Sequence, residues 1–130
     1  MKRKIIFISG TRADYGKIKP VISTFSNNEK FEVYIFVTGM HLLRKYGNTF
    51  LQIKSENKSK SKIELFNNQN NSKDLNSILA KTLNRFSNYV KKINPHLIIV
   101  HGDRIEALAG SIVGSLNNYL VCHIEGGEIS

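Results

Sequence analysis

The chain is poor in cysteine, in arginine, in acidic residues and in long apolar runs, and each shortage excludes something. Its 130 residues include one cysteine, Cys122, so no internal disulfide can form. Cys122 stands in the last apolar run and reads as a buried core thiol rather than a nucleophile. No run approaches the ~20 apolar residues of a membrane-spanning helix. The N-terminus begins Met1-Lys2-Arg3-Lys4, as a secretory leader would. Its apolar stretch, Ile5–Ile8, stops well short of the roughly 7–15 residues a leader needs. A cytoplasmic protein is expected. The 10 acidic residues face 19 basic ones, a formal charge of +9. That balance fits a lysine-rich solvated surface, or attraction to an anion such as a nucleotide. Only five of the 19 are arginine, and many lysines fall in one polar stretch. This argues against a nucleic-acid groove, which needs an arginine-rich face interleaved with aromatics. The histidines, His41, His96, His101 and His123, match no zinc spacing. No metal and no cofactor are expected.

What is present is an alternation of short apolar runs and helical patterns. Lys4–Ser9 and Phe31–Val37 read as strands, the first buried on both faces. Between them Ile18, Val21, Ile22 and Phe25 recur at helical spacing, with Asp14 as the expected N-cap. Pro20 must lie within the first turn of that helix or kink it. His41–Lys54 reads as a broken helix, with Gly47 its weak point. Ser55–Lys73 is rich in Ser, Lys and Asn and reads as a mobile loop holding one short edge strand at Ile63–Phe66. Asp74–Ile93 is the longest helix, stopped by Asn94-Pro95. Strand His96–His101 follows, then helix Arg104–Leu116 with Ile105, Leu108, Ala109 and Ile112 as its apolar face. Ala107, Gly110, Ser111, Gly114 and Ser115 would allow that helix close approach to a sheet. Strand Tyr119–Ile124 comes last. Strands alternating with helices imply an α/β domain over residues 1–130, with a parallel sheet, right-handed crossovers and helices on both faces. A chain ending inside a turn after its last strand suggests a domain cut from a longer protein.

In such sheets ligands bind outside the carboxyl ends of the strands. Asp103, Arg104, Glu125 and Glu128 fall at that rim. The turn Gly10–Gly16 is neither a P-loop nor a dinucleotide fingerprint. It feeds a helix N-terminus, where free backbone N–H groups favour an anion, and Arg12 could add a bidentate phosphate contact. Alternatively, Arg12 merely pairs with Asp14, and Asp103 with Arg104. Glu125, half desolvated and near Asp103, should have a raised pKa suited to acid–base work. Its alternative is a carboxylate satisfied by backbone N–H groups. His101 and His123 close their strands and could line the same cleft. Glu106 falls opposite Ile105 on the helix and reads as a solvated surface residue.

Four segments, Gly10-Thr11-Arg12-Ala13-Asp14-Tyr15-Gly16-Lys17, Val37-Thr38-Gly39-Met40-His41-Leu42, His101-Gly102-Asp103-Arg104 and His123-Ile124-Glu125-Gly126-Gly127-Glu128, together resemble the UDP-N-acetylglucosamine 2-epimerase family. The likeness is nearer to its hydrolysing branch, which serves sialic or legionaminic acid synthesis. The non-hydrolysing branch carries Gly-Thr-Arg-Pro-Glu, Gly-Asp-Thr and His-Val-Glu-Ala-Gly at the first, third and fourth segments, and this chain departs from all three. The resemblance implies a Rossmann-like domain, one half of a GT-B-type two-domain fold. It implies a UDP-sugar substrate, catalytic roles for Asp103 and Glu125, and nucleotide contacts at Arg12, Gly16 and Arg104. It also implies further catalytic groups beyond residue 130, an isolated piece without activity, and a homo-oligomeric parent. A UDP- or GDP-linked 2,4-diacetamido sugar is an alternative substrate. A GT-B glycosyltransferase half and a non-catalytic nucleotide-binding module are alternative functions.

Overall fold

A computed structural model describes residues 1–39, 49–57, 59–68 and 74–125. Five parallel strands, β1 (Arg3–Ser9), β2 (Phe31–Val37), β3 (Ser61–Leu65), β4 (Leu97–His101) and β5 (Val121–Ile124), lie in the order β3-β2-β1-β4-β5. The described helices are α1 (Arg12–Ser26), α2 (Phe50–Asn57), α3 (Leu75–Ile93) and α4 (Ile105–Leu116). The expected α/β architecture is therefore present, a Rossmann-like doubly wound sheet.

Alternation along the central strands divides the core in two. Ile5 and Phe7 of β1, with Val33, Ile35 and Val37 of β2, pack against Ile18 and Ile22 of α1 and Ile53 of α2. Ile6, Ile8, Tyr34 and Phe36 point the other way, onto Phe86, Tyr89 and Val90 of α3 and Ala107 and Val113 of α4. Phe36 stacks edge-on to Phe86 with centroids 5.1 Å apart. Strands buried on both faces are nearly all apolar because neither face meets water.

Several local expectations change. Thr11, not Asp14, caps α1. Its hydroxyl accepts the Asp14 N–H while the Asp14 carboxylate accepts the Thr11 N–H, a reciprocal capping box. Pro20 lies well inside α1, beyond the first turn. The interval expected to be a loop begins inside α2, and two of its asparagines are buried. Asn57 Nδ2 donates to the Tyr15 hydroxyl. Asn68 accepts the Gly39 N–H and donates to Thr82 Oγ1. The polar stretch thus supplies structural hydrogen bonds that composition cannot reveal. Its edge strand is β3. Gly47 lies outside the described residues, as do His41 and Lys73.

Helix α4 turns a different face inward. Its buried stripe is Glu106, Ala107, Ala109, Gly110, Val113 and Gly114, whereas Leu108 is exposed. The reason is proximity. A Cβ at Gly110 would stand 2.6 Å from Val100 Cγ1, and one at Gly114 2.2 Å from Val121 Cγ2. Only glycine lets the helix backbone sit this low on β4 and β5. Among the described residues β5 pairs only with β4, and Cys122 on it is exposed rather than buried.

Candidate active site

Strand order fixes where the functional groups meet. From β1 the chain winds to β2 and β3, then crosses back to β4 on the other side of β1. Connections run in opposite directions from β1 and β4, which opens a crevice at their carboxyl ends. The turn Gly10–Arg12 borders it on one side and Gly102–Arg104 on the other. Arg12, Asp103 and Arg104 are all exposed there. The β4–β5 register pairs His101 with Ile124, and the Gly102 N–H donates to Ile124 O at 3.0 Å. Glu125 therefore follows the strand end beside Gly102, close to Asp103 along the rim. The two expected carboxylates and both arginines share one edge of the sheet.

The first turn is more occupied than expected. The Asp14 carboxylate accepts the Ser9 hydroxyl at 2.5 Å and the Gly10 and Thr11 N–H groups at 3.0 and 3.1 Å. An incoming anion cannot use those donors. The Arg12 and Ala13 amides, which have no intrahelical acceptor by position, remain at the positive end of α1. Among the described residues Arg12 makes no ion pair with Asp14, and Asp103 makes none with Arg104. Gly16 is exposed on α1, with open space where a Cβ would stand.

Glu125 sits at φ 55°, a left-handed conformation uncommon for a side-chain-bearing residue. Its Oε2 is 2.9 Å from His101 Nε2, and its Oε1 is 3.8 Å from Lys17 Nζ. The carboxyl is exposed. The His101 hydrogen bond, with the Lys17 charge behind it, holds its pKa below the ordinary carboxylate value. This reverses the expected upward shift, which required a desolvated group; here water and cations reach it. His123 Nε2 lies 2.5 Å from the Gly102 carbonyl. A carbonyl only accepts, so that nitrogen carries the proton and ties the turn after β4 to β5. His96 faces the other end of the sheet, its Nδ1 accepting the Lys4 N–H. Glu128 and the glycines before it lie outside the described residues.

Sequence reasoning missed Glu106. It is 3 % exposed, at the second position of α4, with its carboxyl over the ends of β1 and β2. Burial pushes its pKa up, reinforced by the Asp14 charge and opposed by its own backbone N–H and by Arg104. The available signal was spacing. Glu106 precedes Gly110 by four residues and Gly114 by eight, so it shares the stripe of small residues that marks the sheet-facing side.

A model of a family described as UDP-N-acetylglucosamine 2-epimerase matches residues 23–130. Over 128 residues the chain is 42 % identical to a UDP-N-acetylglucosamine 2-epimerase of Neisseria meningitidis serogroup B, covering 98 % of this chain and 33 % of that one. It is 38 % identical to a hydrolysing UDP-N,N'-diacetylbacillosamine 2-epimerase of Legionella pneumophila, covering 100 % of this chain and 35 % of the relative. A solved UDP-N-acetylglucosamine 2-epimerase superposes with a TM-score of 0.81 at 25 % identity, covering 100 % of this chain and 35 % of that one. A Neisseria meningitidis enzyme solved with UDP-GlcNAc bound superposes at 0.80, with 21 % identity over 98 % of this chain and 33 % of its own. This second likeness is one of fold. The chain thus spans about a third of the length of the curated relatives it matches.

Proposed function

The chain belongs to the UDP-N-acetylglucosamine 2-epimerase family, and from that premise we propose that it forms the N-terminal half of the catalytic cleft of a hydrolysing 2-epimerase. The substrate we infer is UDP-N-acetylglucosamine. UDP departs from C1 as the C2 proton is removed, leaving a C1–C2 double bond. Water then adds its hydroxyl to C1 and a proton returns to the opposite face of C2. The products are UDP and free N-acetylmannosamine.

The observation that carries this reading is that Arg12, Asp103 and Arg104, and Glu125 follow the carboxyl ends of the neighbouring strands β1, β4 and β5. A sugar C2–H is a weak acid. Its removal needs a positioned base and simultaneous stabilisation of the departing diphosphate. Arg12, Arg104 and the free amides at the start of α1 are suited to the diphosphate. Glu125, held by His101 and Lys17, is assigned as the proton acceptor, a weaker base than an ordinary carboxylate because both partners lower its pKa. Asp103 beside it is suited to return or relay one. One rim with two carboxylates supplies part of the machinery, and we assign the remainder to polypeptide beyond Ser130. The isolated chain is expected to be inactive. The Legionella relative, 38 % identical over the whole chain, favours a 2,4-diacetamido UDP-sugar as the second reading.

The test is incubation of the full-length protein with each UDP-sugar in D2O, followed by proton NMR. Free N-acetylmannosamine deuterated at C2, abolished in Asp103→Asn and Glu125→Gln, is expected. Turnover of the diacetamido sugar alone selects the second reading. Inert substrates, or epimerised sugar still carrying UDP, refute the hydrolysing reaction.

A further inference from the structure

Glu106 is an expensive residue to bury. Among the described residues its Oε2 has no hydrogen-bond partner, and an orphaned buried carboxyl oxygen is costly in a low-dielectric interior. Its carboxyl occupies the space two glycines leave. A Cβ at Gly10 would lie 2.3 Å from both Cδ and Oε1, and one at Gly39 2.4 Å from Oε1. Gly39 also has φ +65°, so the second strand end is shaped around this carboxyl by backbone as well as by the missing side chain. One oxygen is thus wedged between the ends of β1 and β2. The other faces Arg104, whose Nε is 3.8 Å away. Arg104 is also the N-cap residue of α4 and makes no capping hydrogen bond with its side chain.

Resting on the anion-binding role assigned to Arg104 above, we propose that Glu106 is the positioning residue for that arginine: its buried Oε2 accepts the Arg104 Nε–H once an anion binds, fixing the guanidinium so that its two terminal nitrogens face a diphosphate. At 3.8 Å the contact is about 0.9–1.1 Å too long for a charge-assisted hydrogen bond. The unmet acceptor and the unfixed donor are therefore one small movement from satisfying each other. A guanidinium can serve both sides at once, because its five donors form a planar fork. A lysine ammonium cannot reproduce that division. Burial of Glu106, which opposes its ionisation, and the guanidinium charge, which favours it, then couple the carboxyl to occupancy of the rim.

The experiment uses full-length protein and UDP as the probe. The Arg104 Nε–H resonance, assigned by its absence in Arg104→Lys, is followed by nitrogen-15 NMR with and without UDP. A downfield shift of that proton on binding is expected. Glu106→Gln, folded as judged by its unfolding curve, is expected to weaken UDP binding by roughly 10–100-fold, the scale of one charge-assisted bond. Uridine binding is expected to be unchanged. Glu106→Asp should recover part of the loss. In Arg104→Ala the Glu106→Gln effect should vanish, since Glu106 acts through the guanidinium; a purely structural role would persist there. An unshifted Nε–H in wild type overturns the proposal even if Glu106→Gln does not fold, and additive losses in the double variant overturn it where Glu106→Gln folds. Wild type that binds UDP with the expected shift yet turns over no sugar overturns the epimerase reading alone. Wild type that turns over sugar with the Nε–H unmoved overturns this inference alone.

Discussion

The same substitution at two helical glycines should have opposite signs. Glycine inside a helix costs about 1 kcal/mol relative to alanine, so Gly→Ala gains that amount wherever there is room. Gly16 lies in α1, and nothing stands within 4 Å of where an added methyl would sit. Gly16→Ala is expected to stabilise by about 1 kcal/mol. Gly110 lies in α4, where the methyl would stand 2.6 Å from Val100 Cγ1 and 3.2 Å from Ile8 Cγ2. Both neighbours are core residues of central strands, 0 % and 2 % exposed. Normal carbon–carbon contact is ~3.5–4.0 Å, so the overlap with Val100 is about 1 Å. Overpacking of this kind costs about 1–3 kcal/mol, which outweighs the propensity gain. Gly110→Ala should therefore be net destabilising by about 1 kcal/mol, placing the two variants about 2 kcal/mol apart. Urea unfolding at constant pH measures the difference, read as a midpoint change at unchanged slope. Val100→Ala removes the clashing methyl, so the cost of Gly110→Ala should shrink in that background, a coupling of roughly 0.5–3 kcal/mol. If Gly110→Ala stabilises as Gly16→Ala does, or the Val100 background leaves its cost unchanged, the close seating of α4 is refuted.

Other expectations follow from single contacts. Asn68→Ala removes the acceptor of the buried Gly39 N–H and the donor to Thr82, and should cost about 1–3 kcal/mol in urea unfolding. Glu106 has its pKa raised by burial, with the Asp14 carboxylate and the Arg104 guanidinium facing it. The folded state therefore binds the proton more tightly. The stabilisation is complete below the ordinary value of 4.5 and is lost as pH rises through the folded pKa. Unfolding free energy measured against pH should fall across that window in wild type and not in Glu106→Gln, with a slope of at most ~1.4 kcal/mol per pH unit. Glu125 has its pKa lowered, so its contribution is present above its ordinary value and lost as pH falls through the folded one. His101→Phe removes the leading cause, and carbon-13 titration of the Glu125 carboxyl should then show an upward shift.

Much of this molecule is legible in its sequence alone. Apolar runs bounded by Gly10, Asn94-Pro95 and Asn117-Asn118, with helical spacing between them, determine the alternation of strand and helix. Alternation in turn determines a parallel sheet, because parallel neighbours need crossovers. The charged residues just after the strands, Arg12, Asp103, Arg104 and Glu125, belong to the rim for the same reason. What spacing does not decide is environment. Glu125 differs from expectation because a linear run does not reveal its partners, His101 at the end of β4 and Lys17 from another helix, and Cys122 because among the described residues β5 pairs only with β4. Asn57 and Asn68 look like loop residues because their partners, Tyr15, Gly39 and Thr82, are distant in sequence. Glu106 shows the limit best. A charged residue in an amphipathic helix is placed outside by its polarity. Tertiary structure places it inside, because Gly110 and Gly114 seat α4 low on the sheet while Gly10 and Gly39 leave room at two strand ends for one carboxyl.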